Sequence, residues 1–548
     1  MTKKIILLFA ALFAAHVSAQ KSKQSAQAPF VWEGTNLYFL MTDRFNNGDK
    51  SNDVVLNRTR ETAKLRGFEG GDLRGIIQKI DEGYFDKLGV NVIWFTPVVE
   101  QIHDGTDEGT GVTYGFHGYW AHDWTRLDPN FGTEADLAEL VTKAHAKGIR
   151  IMLDGVINHT GPETPNDASW PQDWVRTTPQ CDYKTYDSTT ACTLVKNLPD
   201  IRTESNALVE IPKFLADKWK AEGRYEKEMK ELDEFFTRTG YPRAPKYYII
   251  KWLTDYILDF GIDGYRADTV KHLGEDVWAD FKRQCEFSFG RWKRKNPEKV
   301  LDSNPFYTIA EVYNYGINAG REFDFGDKKV NYYSNGFNAL INFEFKWNAK
   351  DSYEALFSMY SDRLNTILEG NSVLNYLSSH DDGQPFDANR EKPFESATKL
   401  LLSPGIAQIY YGDESARSLA IPGAEGDAKL RSFMNWSDIQ SDAKTKKILA
   451  HWQKLGQFRK NHPAIGAGVH QQISSAPYVF SRGYRNGKFL DRVVVGLDLP
   501  KGKKELNVSS VFKEGAQLYD AYSGQMTTVI NGRVTIDSDF DIVLLEKI

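Results

Sequence analysis

Eight short apolar runs recur along this chain, each closing on polar residues and each parted from the next by helical patterning. They cover residues 36–41, 90–95, 149–153, 261–265, 306–310, 339–345, 373–377 and 406–411. Near-continuous apolar strands are what a parallel sheet buried on both faces requires. Strands of that kind alternating with helices define an α/β protein, and eight of them predict a closed (β/α)8 TIM barrel. Helices are predicted over 76–88, 134–147 and 247–260. Three junctions carry the same punctuation. Leu88-Gly89-Val90, Lys147-Gly148-Ile149 and Phe260-Gly261-Ile262 each read as a helix that ends at a glycine and turns into a strand. A doubly wound open sheet is the alternative that composition alone leaves open.

The third and fourth runs are separated by far more chain than an ordinary connection needs. Residues 160–200 are rich in Pro, Thr and Asp, and 205–239 are strongly charged and helical in pattern. This predicts a subdomain inserted at the C-terminal face of the barrel. After a helix near 444–458, short strands are predicted at 479–481, 489–497, 508–512, 527–530 and 542–545, an antiparallel β-domain. The expected organisation is a signal peptide (1–19), a linker (20–31), the first part of the barrel (32–160), the inserted subdomain (161–245), the second part of the barrel (246–462) and a C-terminal β-sandwich domain (463–548). The signal reading rests on Lys3 and Lys4, the apolar run 5–15 and the small-x-small ending at Ala19. Export to the periplasm or the medium follows from it.

No block of Lys or Arg stands clear of acids in a chain of net charge −6, so nucleic acid is not the expected partner. The densest basic run, 291–295, reads as a solvated helix face. No later apolar run has the length of a membrane span, and a monomer without membrane insertion is expected. An oxidising compartment lets Cys181 and Cys192 pair across their short polar loop. Cys285 is left over, a buried small hydrophobe in a helical stretch.

In a parallel barrel the chemistry belongs at the C-terminal ends of the strands. Four ends are unusually polar: Asp154-Gly155-Val156-Ile157-Asn158-His159, Gly264-Tyr265-Arg266-Ala267-Asp268 with Lys271-His272, Glu311-Val312-Tyr313, and Ser378-Ser379-His380-Asp381. One carboxylate after a strand is an ordinary helix cap. Four on one rim repel one another and need a purpose or a cation. Arg266 and Asp268, two apart on a strand, face the same way. The arginine holds the aspartate ionised, which makes Asp268 a nucleophile. A glutamate at the next strand end feels that charge and keeps its proton for a leaving group. Two such carboxyls suit retaining glycoside hydrolysis.

On these four ordered motifs the chain resembles the α-amylase family of glycoside hydrolases, and within it the exported bacterial α-amylases. Leu198-Pro199-Asp200-Ile201 resembles a fifth motif of the family. The resemblance covers nearly everything after the signal. It implies Asp268 as nucleophile, Glu311 as general acid/base and Asp381 as the group that favours the distorted reacting ring. It also implies Arg266 as the orienting partner of the nucleophile, His159 and His380 as hydrogen-bonding the same ring, Tyr119 as a stacking platform beneath it, and Lys271 on the leaving-group side.

The resemblance further implies calcium. Asn158, Asp200 and the carbonyl of His272 match the family's Ca²⁺ site between insertion and barrel. One ligand, from the middle of the insertion, is not identifiable. Oxygen donors of this kind suit a hard cation. A second Ca²⁺ loop, similar to that of cyclodextrin-forming relatives, is implied at Asn47, Asp49, Asn52, Asp53, the Gly70 carbonyl and Asp72. Short oxygen-bearing side chains this dense also make an ordinary turn-rich loop.

The expected activity is hydrolysis of internal α-1,4-glucosidic bonds in starch, glycogen or maltodextrins. The alternative is an α-glucan transferase of the same family, cyclodextrin-forming or disproportionating. Against it stands the lack of a tail for the extra domains usual in cyclodextrin-forming enzymes. A non-catalytic glucan-binding relative is disfavoured because all three acids are present. Asp382, which follows the fourth motif, adds an acid that is expected to alter the site's surroundings. Trp170 and Trp174, four apart, form the surface pair suggested for raw starch.

Overall fold

All eight apolar runs become strands: β1 (Asn36–Leu40), β2 (Val92–Phe95), β3 (Arg150–Gly155), β4 (Gly264–Ala267), β5 (Tyr307–Ala310), β6 (Ala339–Asn342), β7 (Ser372–Asn375) and β8 (Ile406–Tyr410). Each pairs in parallel with its neighbours in chain order, and β8 closes on β1. The structure, a computed structural model, describes residues 28–107 and 109–548. The predicted signal peptide and most of the 20–31 linker lie outside the described residues.

Helices α1 (Leu73–Asp81), α2 (Glu134–Ala146), α3 (Pro245–Phe260), α4 (Glu275–Lys295), α5 (Tyr353–Asn365), α6 (Pro393–Leu401) and α7 (Ala443–Asn461) surround the barrel. The helix expected over 76–88 is two, because Gly83 sits in the left-handed region (φ +70°) and starts a second short helix, Tyr84–Leu88. After β5 the chain makes a 3₁₀ turn, Ile317–Ala319, and a two-stranded ladder, Phe323–Asp324 with Lys329–Val330, but no α-helix before β6. The fifth connection is thus the exception to regular β/α alternation. The glycine junctions have a steric basis. Gly261 caps α3 at φ +73°, and a Cβ there would meet the Trp292 ring at 2.0 Å.

Between β3 and β4 lie a two-stranded ladder, Val175–Arg176 with Asp200–Ile201, and helices Lys213–Ala221 and Tyr225–Thr239. Cys181 and Cys192 are disulfide-bonded, and Cys285 is free and buried. Trp170 and Trp174 are not a surface pair. Both are buried, packed on Trp124, Phe214, Tyr248 and Trp252. Helical spacing alone does not say which side of a helix or turn faces solvent.

The C-terminal region forms a six-stranded antiparallel sheet and a two-stranded partner, Gly502–Asn507 with Arg533–Ser538. The strand expected at 508–512 is instead a turn. Phe512 N donates to Val508 O at 2.9 Å, Asn507 Oδ1 accepts from Ser509 N, and both Val508 and Phe512 drop into the core of this domain. Its apolar residues are buried, but two adjacent serines favour local turn bonding over a ladder. Arg482 and His462 tie the domain to the barrel. Arg482 donates to Leu402 O at 2.5 Å, and His462 Nδ1 lies 2.9 Å from Asp491 Oδ1, with Nε2 against Glu546. Among the described residues no helix is long and apolar enough to cross a membrane.

Candidate active site

Parallel register sets the centre of the site. Arg266 on β4 is aligned with Asp154 on β3, and Ala267 with Ala310 on β5. Asp268 and Glu311 therefore leave neighbouring strands at the same level, each one residue past the strand end. Arg266 is fully buried and uses both terminal nitrogens: Nη1 lies 2.6 Å from Asp268 Oδ1 and 3.1 Å from Asp154 Oδ1, and Nη2 lies 3.1 Å from Glu311 Oε2. Asp268 Oδ2 receives no hydrogen bond among the described residues. Glu311 Oε2 also accepts from Thr269 N at 2.7 Å.

Asp154 serves as an anchor. Its Oδ2 accepts from Trp94 Nε1 at 3.1 Å and from the Tyr119 hydroxyl at 2.9 Å. Tyr119 stands in the connection after β2, its ring stacked between His117 (5.8 Å) and His380 (5.3 Å). His159 Nε2 lies 3.2 Å from Tyr119 O. Asp381 and His380 come from the connection after β7. Asp381 Oδ1 accepts from Ser379 Oγ at 3.1 Å and lies 3.7 Å from His380 Nδ1. It is the open acid of the three, with 39% of its side chain exposed against 8% for Asp268 and 9% for Glu311. An exposed acid beside two buried ones is placed to meet a ligand before they do.

The electrostatics separate these acids. Burial pushes Glu311 up to about 8; Asp268 and Asp381 add to this and Arg266 opposes it. Burial likewise raises Asp154 to about 7 against Arg266. For Asp381 burial also acts upward, but His380, Arg266, Arg431 and the Ser379 hydroxyl outweigh it and hold the carboxyl below its ordinary range. Burial lowers His380 to about 4 and depresses His159, so both imidazoles are neutral. Glu311 thus holds its proton at neutral pH.

Lys271, on the 3₁₀ turn Val270–His272, makes no hydrogen bond to the acids among the described residues but lies within Coulombic reach of Glu311. Its Nζ donates to Tyr313 O at 3.4 Å and lies within 5.1–5.7 Å of the ring centroids of Tyr313, Tyr183 and Phe323. Tyr183 belongs to the disulfide-closed loop. Tyr183 and Tyr313 are each 52% exposed, an aromatic edge on this side of the site.

Asp382 adds no free charge. Lys346 pairs with its Oδ2, which also accepts from the Tyr376 hydroxyl at 2.6 Å. The surroundings are altered by a neutralised clamp and not by an extra acid. Sequence reasoning gave no role to Asp154, Trp94, His117 or Arg431. Asp154 carried a signal as a strand-end acid. Arg431, whose Nε donates to His380 O at 2.9 Å, lies in an irregular segment with no periodicity to mark it.

Among the described residues no three His, Cys, Asp or Glu side chains converge as a metal cluster. The first proposed calcium cradle rests on one carboxylate, an amide and a carbonyl, and the second counts three aspartates among its six donors. In the first, Asp200 is buried with Oδ1 lacking any hydrogen-bond partner. Burial pushes this carboxyl well up, opposed by Arg176, whose Nε is 3.2 Å from Oδ2. Asn158 is buried beside it, its carbonyl accepting from Ile201 N at 2.7 Å. His272 lies on the turn after β4, its Nδ1 3.1 Å from Thr189 O. An orphaned buried carboxylate oxygen next to an amide fits a hard cation.

At the second cradle, Asn47 Nδ2 donates to Asp53 Oδ1 at 2.7 Å, while Asn47 Oδ1 and Asn52 Oδ1 are buried without partners. A Cβ on Gly70 would fall 2.4 Å from Asn47 Nδ2 and 2.7 Å from Asp53 Oδ1, so its backbone backs onto both. These four fit a cation. Asp49 and Asp72 are otherwise engaged. Asp49 caps Ser51 N at 2.9 Å, and Asp72 accepts from the N–H groups of Gly48, Asp49 and Gly75.

A parallel barrel whose strand ends gather carboxyls around one buried arginine defines an enzyme of the (β/α)8 glycosidase class. Residues 39–428 match the family model described as the α-amylase catalytic domain. The chain belongs to the α-amylase family of glycoside hydrolases. It is 35% identical over 532 residues to a periplasmic alpha-amylase of Escherichia coli (strain K12), covering 86% of this chain and 73% of that protein. It is 29% identical over 513 residues to a cyclomaltodextrin glucanotransferase of Bacillus sp. (strain 6.6.3), covering 90% of this chain but 63% of that one. A solved structure described as the first cyclomaltodextrin glucanotransferase with a three-domain ABC distribution superposes with a TM-score of 0.64 at 20% identity, over 94% of this chain and 99% of that chain. At that identity it speaks for the fold alone.

Proposed function

We propose that the chain is an exported α-amylase, periplasmic or extracellular, that hydrolyses internal α-1,4-glucosidic bonds of starch, glycogen or maltodextrins with retention of anomeric configuration. The observation that carries this is the single guanidinium of Arg266 holding Asp268 and Glu311. Two carboxyls gripped by one fork stay close, as a retaining pair must, at about 5–5.5 Å. The compartment rests on the N-terminal signal pattern and on the name of the E. coli relative.

In the first step Asp268 Oδ2, the oxygen that Arg266 leaves free, attacks C1. Glu311 gives its proton to the departing glycosidic oxygen, leaving a glycosyl ester on Asp268. In the second step the Glu311 carboxylate takes a proton from water, which attacks C1 and frees Asp268. Asp381 accepts hydroxyls of the reacting ring and favours its flattened, oxocarbenium-like form. Neutral His159 and His380 hydrogen-bond the same ring, and Tyr119 offers an aromatic face to it. Lys271 serves the leaving-group side. Asn158, Asp200 and the His272 carbonyl would hold one Ca²⁺, and Asn47, Asn52, Asp53 and the Gly70 carbonyl a second. The ion would supply charge compensation and so clamp these loops to the barrel.

One observation favours the transferase reading. The exposed rings of Tyr183 and Tyr313 beside Lys271 can grip an incoming sugar in competition with water. Chain length does not decide against it, since a three-domain cyclomaltodextrin glucanotransferase shares this fold. A time course on maltoheptaose, read by NMR for anomer and by product length, tests both. Short α-anomeric products alone support the amylase. Products longer than the substrate, or cyclic ones, move the assignment to the transferase. Initial β-anomers would refute retention.

A further inference from the structure

Away from the catalytic rim, the barrel wall and the C-terminal domain enclose a cleft of about 610 Å³. That is within the range of small-ligand sites, roughly 300–1,000 Å³. Tyr353 and Phe394, on its barrel side, stand in the first turns of α5 and α6. Barrel helices start at the end where the preceding strands finish, so the cleft lies along the catalytic end of the wall.

Its chemistry is that of a sugar site. Phe394 and Phe540 are 44% and 39% exposed, large apolar rings left facing an open cleft. Phe540 is held edge-on to Tyr522 at 5.1 Å, and the Tyr522 hydroxyl is 2.7 Å from His451 Nδ1. Lys454 Nζ sits 4.6 Å from the Phe540 ring centroid and donates to Tyr522 O at 2.6 Å. This wall is ordered before any ligand arrives, which lowers the entropic cost of binding. Asp498 and Asp541 line the same cleft, and among the described residues neither side chain receives a hydrogen bond or an ion pair. Asp498 adopts φ +54°, a left-handed conformation costly outside glycine. Lysines 447, 454 and 501 nearly balance the carboxylates of residues 395, 498, 539 and 541. A wall with almost no net charge selects neither a cation nor an anion. Flat aromatic faces beside free hydroxyl acceptors suit a neutral ring with an apolar face and equatorial hydroxyls.

We infer that this cleft is a second α-glucan-binding site, which tethers the polymer by stacking glucose rings on Phe394 and Phe540 and by hydroxyl bonds to Asp498 and Asp541. The inference rests on the α-glucan reading of the active site. The test uses the full chain carrying Asp268→Asn, electrophoresed through native gels of graded glycogen content, with and without Phe394→Ala/Phe540→Ala. The expected result is at least a tenfold weaker retention in the doubly substituted cleft. With Asp268 intact, the same cleft substitutions leave kcat on maltoheptaose within twofold. Unchanged retention overturns the inference. If the phenylalanine variant melts early, Asp498→Asn/Asp541→Asn gives the same reading from the polar side. Unchanged retention together with a calcium-dependent rise in Tm that this asparagine pair abolishes identifies a cation site and also overturns it. An intact chain inert on maltoheptaose would sink the active-site reading, while gel retention would still report on the cleft.

Discussion

Arg266 Nη2 lies 3.1 Å from Glu311 Oε2. The contact is notable because Glu311 nonetheless keeps its proton at neutral pH, with burial and the charges of Asp268 and Asp381 acting together against the guanidinium. One arginine thus fixes the position of both acids, while the surroundings decide which of them keeps a proton.

This division sets the pH dependence. Glu311 must be protonated to release the leaving group, so kcat/KM should hold through neutrality and fall as pH rises through about 8. Glu311→Gln should lower kcat by about 10²–10⁴ and lose that alkaline limb. Profiles of both proteins on maltoheptaose check it; a limb that persists in the variant belongs to another group.

Calcium should matter to stability before it matters to chemistry. At calcium about 100-fold above its Kd, a site present only in the folded chain adds about 2.7 kcal/mol. Chelation should lower Tm, and Asp200→Asn, which removes the orphaned carboxylate at the insertion, should abolish most of that difference. Calorimetry with and without chelator reads this directly. An equal chelator effect in the variant places the ion elsewhere.

The Cys181–Cys192 loop carries Tyr183 to the Lys271 side of the site. Stacking on an aromatic ring is worth about 1 kcal/mol, so Tyr183→Ala should raise KM for maltoheptaose about fivefold. The double substitution Cys181→Ser/Cys192→Ser should do the same, while kcat at saturation changes little. Both variants should also lower any ratio of transfer to hydrolysis. A fall in kcat with unchanged KM would contradict this role.

At the domain junction, His462 is raised to about 9, because the carboxylates of Asp491 and Glu546 outweigh its burial. A histidine with a raised folded pKa stabilises fully below its unfolded value, near 6.5, and that contribution disappears as pH climbs through about 9. The imidazolium should supply about 3 kcal/mol at the acid end of that window. His462→Gln should therefore narrow the gap in denaturation midpoint between pH 6 and pH 9.5. A variant whose pH dependence equals the parent's would refute the clamp.

The barrel was legible because buried parallel strands must be apolar throughout, and all eight runs sit where the strands form. Asp268, Glu311 and Arg266 were legible for a related reason: strand alternation fixes which side chains face one way, and the ladder aligns neighbours. What escaped depends on long-range packing. Nothing near Asp382 in the chain announces Lys346, more than thirty residues earlier, as its partner. Asp154 was visible as a strand-end acid, but only the Trp94 and Tyr119 bonds reveal it as an anchor. Val508 and Phe512 are buried, yet the serines between them turn the chain where a strand was expected.

The central claim is that Asp268 carries the sugar and Glu311 moves the proton. Glu311→Gln incubated with α-maltosyl fluoride tests it most directly, because fluoride departs without an acid while release of the ester lacks its base. The account predicts a maltosyl adduct in the intact mass, mapped by peptide fragmentation to Asp268. An adduct on another residue, or prompt turnover with no covalent species, would contradict it.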